Sequence, residues 1–226
     1  MPLKKPRLQE ILDKDVKKWC PIEQKGLCVK IVAVADFPTI FGKFVIVAFY
    51  NNKENKDHVA IIHDDVWGKE DVPVRLHSEC LTGDTFGSLR CDCHEQLVTS
   101  LKKISRMKRG IVLYLRQEGR GIGLMNKLRA YQLQDLGYDT IEANIALGFK
   151  DDQRDYVVAA HMLKALNVNS VLLITNNPRK IIDLERHGVK INGRIPLVIK
   201  PNRYNKNYLK TKMVKSGHIL DSSFRD

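Results

Sequence analysis

The spacing of apolar residues changes partway along the chain. Segments 28–35 and 43–50 are rich in Val, Ile and Phe, and 58–63 and 72–78 are similar, so four strands are expected early. Pro38 and Gly42 punctuate the first turn, and residues 51–57 form a polar loop. From Glu95 the period lengthens: Leu97, Leu101, Ile104 and Met107 recur at helical intervals. A short apolar run at 111–115 reads as a buried strand. A helix is expected from about Leu124, with Leu124, Leu128 and Tyr131 as its apolar stripe. Tyr156, Ala159, Ala160, Leu163 and Leu166 predict a helix over 152–166, and 170–174 reads as a strand. Asn177-Pro178 looks like an N-cap with proline in the first turn, and Gly188 like the left-handed end of that helix. The pattern predicts a mixed α/β (α+β) fold. A strand-rich N-terminal half is followed by alternating strands and helices in one compact domain over 28–199. Residues 1–27 read as a basic extension, helical over 8–19 and broken at Cys20-Pro21; 200–226 reads as a basic, partly flexible tail.

Composition narrows the class. A 43% hydrophobic share is too high for a disordered chain. No apolar run approaches the ~20 residues that span a bilayer, and no apolar h-region follows the basic N-terminus. A cytoplasmic protein without membrane contact is therefore expected. The net charge of +12 invites a nucleic-acid reading, but its placement weakens it. Residues 1–30 hold eight basic and four acidic residues and 200–226 seven and two, which leaves only +3 for the centre. No nucleic-acid partner is expected; a basic field also suits an anionic small substrate.

Five cysteines, an odd number, argue against a disulfide framework. Three cluster as Cys80-x10-Cys91-x-Cys93. Three thiolates suit Zn²⁺ in a site that keeps one position open for water, whose pKa there falls towards ~7. The alternative is three small buried hydrophobes. His77 and His94 flank the cluster, and either could close it as a fourth ligand.

Arg116–Gly123 follows a strand and opens a helix. Its glycines permit close backbone approach and its two arginines suit phosphate, with simple tight packing of the turn as the competing reading. Thr175–Lys180 gathers a hydroxyl, N–H groups and cations at another helix start, where a plain N-cap is the competing reading. Asp152 and Arg154 open a further helix. Asp152 is either a dipole-compensating acid or a proton acceptor, and Arg154 a phosphate partner.

Taken together, Arg75–Asp84, Ser88–Cys93, Arg116–Leu124, Tyr131, Thr140–Asn144, Leu147–Phe149, Asp152-x-Arg154-x-Tyr156 and Thr175–Pro178 closely resemble the GTP cyclohydrolase II family in order, over roughly residues 31–220. The resemblance implies hydrolytic opening of the GTP imidazole ring. Formate and pyrophosphate are released, and the product is 2,5-diamino-6-ribosylamino-4(3H)-pyrimidinone 5′-phosphate, the first step of riboflavin biosynthesis. It implies one catalytic Zn²⁺ on Cys80, Cys91 and Cys93, and Mg²⁺ with the triphosphate. It makes Asp152 the proton acceptor, Arg154 the residue at the α-phosphorus and Tyr131 an active-site tyrosine. It assigns GTP contacts to Arg75, Leu76, His77, Ser78, Glu79, Gln96, Glu118, Gly119, Arg120, Thr140, Thr175 and Lys180, and it implies a homodimer. Because arginine stays protonated, Arg154 suits electrostatic support of departing pyrophosphate. Many relatives carry a fused 3,4-dihydroxy-2-butanone 4-phosphate synthase domain; this chain reads as monofunctional. His94 stands where the family commonly has Gly, and it is expected to point away from the metal. Two other readings stand beside this one: a structural-zinc module that binds nucleic acid through its basic ends, and a diverged relative that stops at a formylamino intermediate.

Overall fold

The computed structural model describes residues 26–206, with 208, 209 and 213. The expected helix at 8–19 and most of the two basic ends lie outside the described residues. Seven strands form one mixed sheet: β1 (Val29–Thr39), β2 (Gly42–Asn51), β3 (His58–His63), β4 (Val72–Ser78), β5 (Gly110–Leu115), β6 (Val171–Ile174) and β7 (Ile191–Ile195). Their order is β1-β2-β3-β5-β4-β6-β7. The first three and β5 pair antiparallel, whereas β5, β4, β6 and β7 run parallel. Six helices connect or follow these strands among the described residues: α1 (Leu81–Asp84), α2 (Cys93–Ser105), α3 (Gly123–Asp135), α4 (Thr140–Ala146), α5 (Val157–Ala165) and α6 (Pro178–Arg186). None is long and apolar enough to cross a membrane.

Strand periodicity builds a core on each face of the sheet. Val45, Val47 and Phe49 of β2 join Ile111, Leu113 and Leu115 of β5 against Val158, Ala159, Met162 and Leu163 of α5. The alternate positions Phe44, Ile61 and Val112 meet Leu101 and Ile104 of α2. Central β5 is buried on both faces, which is why it reads as an unbroken apolar run rather than an alternating one.

The four early strands, β5 and β6 lie close to where the apolar pattern puts them. Pro38 falls inside β1 rather than in the turn; β1 is an edge strand, where a missing N–H is tolerated. Asn177 caps α6 by accepting from the Arg179 N–H (2.9 Å), and Gly188 follows that helix at φ 79°. The helix expected over 152–166 starts only at Val157. The Asp152 carboxylate accepts from the Arg154 backbone N–H (3.0 Å), and this local turn competes with helix formation. Asp152 is thus not a first-turn, dipole-compensating acid. Three elements escaped the periodicity: α1, β7 and α4. The last is secured by a capping box in which Asp139 accepts from Ile141 and Glu142 while Glu142 accepts from the Asp139 N–H.

The stripe expected on α3 is also turned. Leu128 is 43% exposed, whereas Lys127 and Ala130 are the buried positions. This helix presents a polar side inward because it borders a site rather than the core. Among the described cysteines, Cys80, Cys91 and Cys93 are free and Cys28 is disulfide-bonded. Parity was a poor guide here, because the cysteines do not share one fate.

Candidate active site

Parallel strands β4, β5 and β6 end side by side, and the residues that follow each one converge on a crevice beyond their carboxyl ends, the usual ligand position of such sheets. Strand β4 delivers Ser78, Glu79 and Cys80; β5 delivers Gln117–Arg120; β6 delivers Thr175–Asn177. The crevice has two chambers that share Ser78, Cys93, Arg120, Arg154 and Tyr208 as a common wall.

One chamber holds the thiols. The Sγ atoms of Cys80, Cys91 and Cys93 lie within 4.8 Å of one another, and Cys80 and Cys91 are 3.7 Å apart. Tetrahedral ligands at the usual zinc–sulfur length sit about 3.8 Å apart, so the cluster fits a metal of that kind. Gly83 fits it too. A Cβ there would stand 2.8 Å from the Cys91 Sγ and 3.1 Å from the Cys80 Sγ, so only glycine lets α1 lie against the three cysteines. His94 turns away to the Asp84 carbonyl (3.2 Å), as the sequence reading expected.

Buried polar partners hold this cluster. The Asp84 carboxylate accepts from the Cys80 backbone N–H (3.0 Å), the Tyr114 hydroxyl (2.9 Å) and His77 Nε2 (3.0 Å). Burial depresses the His77 pKa, and Asp84 offsets only part of that, so the ring stays neutral at physiological pH. Lys127 Nζ donates to Cys80 Sγ (3.1 Å), Thr82 Oγ1 (2.8 Å) and Glu118 Oε1 (2.8 Å). Burial opposes the Lys127 charge, but Glu118 and Cys80 outweigh it and its pKa rises. Hydrogen bonds from its sister thiols, with the Lys127 charge, hold Cys80 far below the ordinary thiol range, while Cys91 and Cys93 are pushed up. The Tyr131 hydroxyl is 3.3 Å from Thr82 Oγ1, and the cations of Arg90 (5.0 Å) and Lys127 (5.7 Å) both stand over its ring.

The other chamber is rich in cations: Arg75, Arg120, Arg154, Arg179 and Lys180 face two carboxylates, Asp92 and Asp152. Arg75 donates to the Ile174 carbonyl (3.1 Å) and to Gln96 Oε1, yet its buried Nε has no partner among the described residues. Such an N–H is costly to bury unless a ligand meets it. Arg154 grips Asp152 with Nε (2.8 Å) and a terminal nitrogen (2.5 Å). Burial alone would raise the Asp152 pKa, but Arg154 outweighs it and the carboxyl is held below its ordinary range. Arg120 sits at φ 60° beside Gly119 at 62°, a left-handed turn that aims it at the Asp151 carbonyl (3.3 Å) and Thr140 Oγ1 (3.5 Å).

The structure thus gathers nearly all the residues the sequence singled out. Arg75, His77, Gln96, Asp152, Thr175 and Lys180 line the cation chamber; Glu79, Glu118, Gly119, Tyr131 and Thr140 line the thiol chamber. Leu76 is the exception. Its side chain is 1% exposed in the core, and only its carbonyl reaches the site region, where it accepts from Lys180 (2.8 Å). Residues the sequence reading missed include Lys127, Arg90, Asp92 and Tyr208. For Lys127 a signal existed: it lies four residues before Tyr131, on the same helix face.

A family model described as GTP cyclohydrolase II matches residues 30–196. GTP cyclohydrolase-2 of Picrophilus torridus is 53% identical over 192 residues, covering 85% of this chain and 100% of its own length. That of Tolumonas auensis is 52% identical and is covered over 98% of its length. The riboflavin biosynthesis protein RibBA of Bacillus subtilis is 55% identical, and the match spans 81% of this chain but 46% of that longer protein. The chain belongs to the GTP cyclohydrolase II family, hydrolases of riboflavin biosynthesis.

Proposed function

We propose that the protein hydrolyses GTP, opening its imidazole ring with release of formate and pyrophosphate and leaving 2,5-diamino-6-ribosylamino-4(3H)-pyrimidinone 5′-phosphate. The observation that carries this reading is the shared wall: a thiol cluster suited to a metal borders a chamber with five cations and two carboxylates. A molecule with a base at one end and a triphosphate at the other spans both. Cys80, Cys91 and Cys93 would hold one Zn²⁺, which supplies Lewis acidity and an activated water beside the ring. Mg²⁺ would accompany the triphosphate.

The protein's own groups do the rest. Glu118 and Tyr131 border the base, with the Tyr131 hydroxyl kept protonated by burial. Asp152, kept ionised by Arg154, accepts a proton. Arg154 stays charged and steadies the phosphate oxygens as pyrophosphate leaves. Arg75, Arg120, Thr175 and Lys180 hold the polyphosphate. The enzyme is expected to act in the cytoplasm as a homodimer.

The test is one assay on purified protein with GTP and Mg²⁺, in which formate, pyrophosphate and zinc content are measured together. Both products with about one zinc per chain are expected. Cys91→Ser should lose the zinc and at least a thousandfold in turnover, in keeping with loss of a metal-activated nucleophile. Unchanged formate release from zinc-free protein overturns the reading, and a formylamino product would reveal a diverged relative.

A further inference from the structure

Four of the five residues common to both chambers, Ser78, Cys93, Arg120 and Arg154, lie within the family-matched stretch 30–196; the fifth, Tyr208, lies beyond it. The segment that carries Tyr208 is tied down. Asn205 is 1% exposed, and its Nδ2 donates to the Cys91 carbonyl (3.3 Å), the backbone of a cluster cysteine. Asn202 and Asn205 brace each other: the Asn202 N–H donates to Asn205 Oδ1 (2.8 Å) and the Asn205 N–H to Asn202 Oδ1 (2.9 Å). The Leu209 N–H donates to the Asn205 carbonyl (2.9 Å), and the Leu209 side chain is 1% exposed. A residue between two such anchors is held in place rather than trailing past the site. Tyr208 also stands close to Arg154, with which it lines both chambers.

We infer that Tyr208 is a substrate-contacting residue at the junction of the chambers, with its ring against the ribose and its hydroxyl donating to an α-phosphate oxygen of the nucleoside triphosphate. The inference rests on the proposed reading of the site. If the base enters the thiol chamber and the β- and γ-phosphates enter the cation chamber, ribose and α-phosphate must pass the shared wall. Only Tyr208 in that wall offers both an apolar face and a neutral hydroxyl. A neutral donor beside Arg154 adds a directional contact without further charge repulsion among the cations.

The experiment compares wild type, Tyr208→Phe and Tyr208→Ala by KM and kcat for GTP, with zinc content and thermal unfolding measured on the same samples. Tyr208→Phe should raise KM about tenfold, the loss of one hydrogen bond to a charged acceptor. Tyr208→Ala should raise it about a hundredfold by also removing the ring contact. Zinc content and unfolding should stay at wild-type values in both. A Phe variant with wild-type KM overturns the hydroxyl contact, and an Ala variant with wild-type KM overturns the whole assignment. Zinc loss in either variant makes the role structural and also overturns it. If wild type itself releases no formate from GTP, the reading of the site has failed, an outcome distinct from any variant result.

Discussion

Around the thiols, the buried charges answer one another within the protein; around the arginines Asp152 pairs Arg154 and Asp151 pairs Arg179, yet cations still outnumber carboxylates. Lys127 is satisfied at once by Cys80, Thr82 and Glu118, and Asp84 by His77, Cys80 and Tyr114. Across the shared wall, five cations meet two carboxylates and Arg75 keeps a buried N–H without a partner among the described residues. The first chamber is organised in advance for a small cation, whose ligands must be fixed before it arrives. The second keeps unspent positive potential, which a polyphosphate can neutralise. The difference teaches how one crevice could serve both ends of the proposed ligand: balanced where a metal would be held, unbalanced where an anion would be drawn in.

The severest way to break this contrast is Gly83→Ala. The new Cβ would stand 2.8 Å from the Cys91 Sγ, so α1 must retreat from the cluster. Overpacking of about 1–3 kcal/mol is expected, with bound zinc and turnover falling together. Full zinc occupancy in that variant, measured by metal analysis, would show that the cradle is looser than the geometry requires.

Asp152→Asn acts on the unbalanced side. On the proposed role of Asp152 as proton acceptor, the substitution is expected to lower kcat about a hundredfold with zinc content unchanged. It also carries a pH signature. Arg154 holds the Asp152 carboxyl below its ordinary value, so the folded state binds its proton less readily than the unfolded state. The pair therefore stabilises the fold above the ordinary carboxyl range and loses that contribution as pH falls through the depressed value. Thermal unfolding of the Asn variant should show a shallower decline below about pH 4 than wild type; parallel acid limbs would remove Asp152 from that account.

Lys127→Met is the mildest and sharpest probe of the balanced side. It removes the ammonium from Cys80 and leaves Glu118 without its cationic partner, with only the Leu81 and Gly119 N–H groups to meet it. Apparent zinc affinity, read by chelator competition, should fall about tenfold, within the range for partners that support metal ligands. Lys127→Arg should restore part of it. Undiminished affinity in the Met variant would mean that the charge balance around Cys80 does not bear on metal binding.

The local chemistry of many elements was open to reading along the chain. Strands β3 and β4 coincide with their apolar runs, and the cap at Asn177 and the stop at Gly188 follow from residue type alone. What escaped was set by a competing local bond in one case and by partners distant in sequence in the other. The start of α5 moved because Asp152 bonds Arg154 instead of capping a helix. The inward face of α3 was misjudged because Lys127 is buried by Cys80 and Glu118, which no periodicity reveals.

The same division holds for the site. Cysteine spacing, glycine turns and cap residues are short-range facts: they depend on neighbours a few bonds away, so the sequence by itself determined the ligand types and the helix starts around the crevice. Tertiary structure alone decided that three strand ends deliver them to one place, that Gly83 is the cradle, that Leu76 faces the core, and that Tyr208 returns to the shared wall. Those outcomes depend on strand order and long-range packing, where loop closure and burial act between residues more than a hundred positions apart, as in the bond from Asn205 to Cys91.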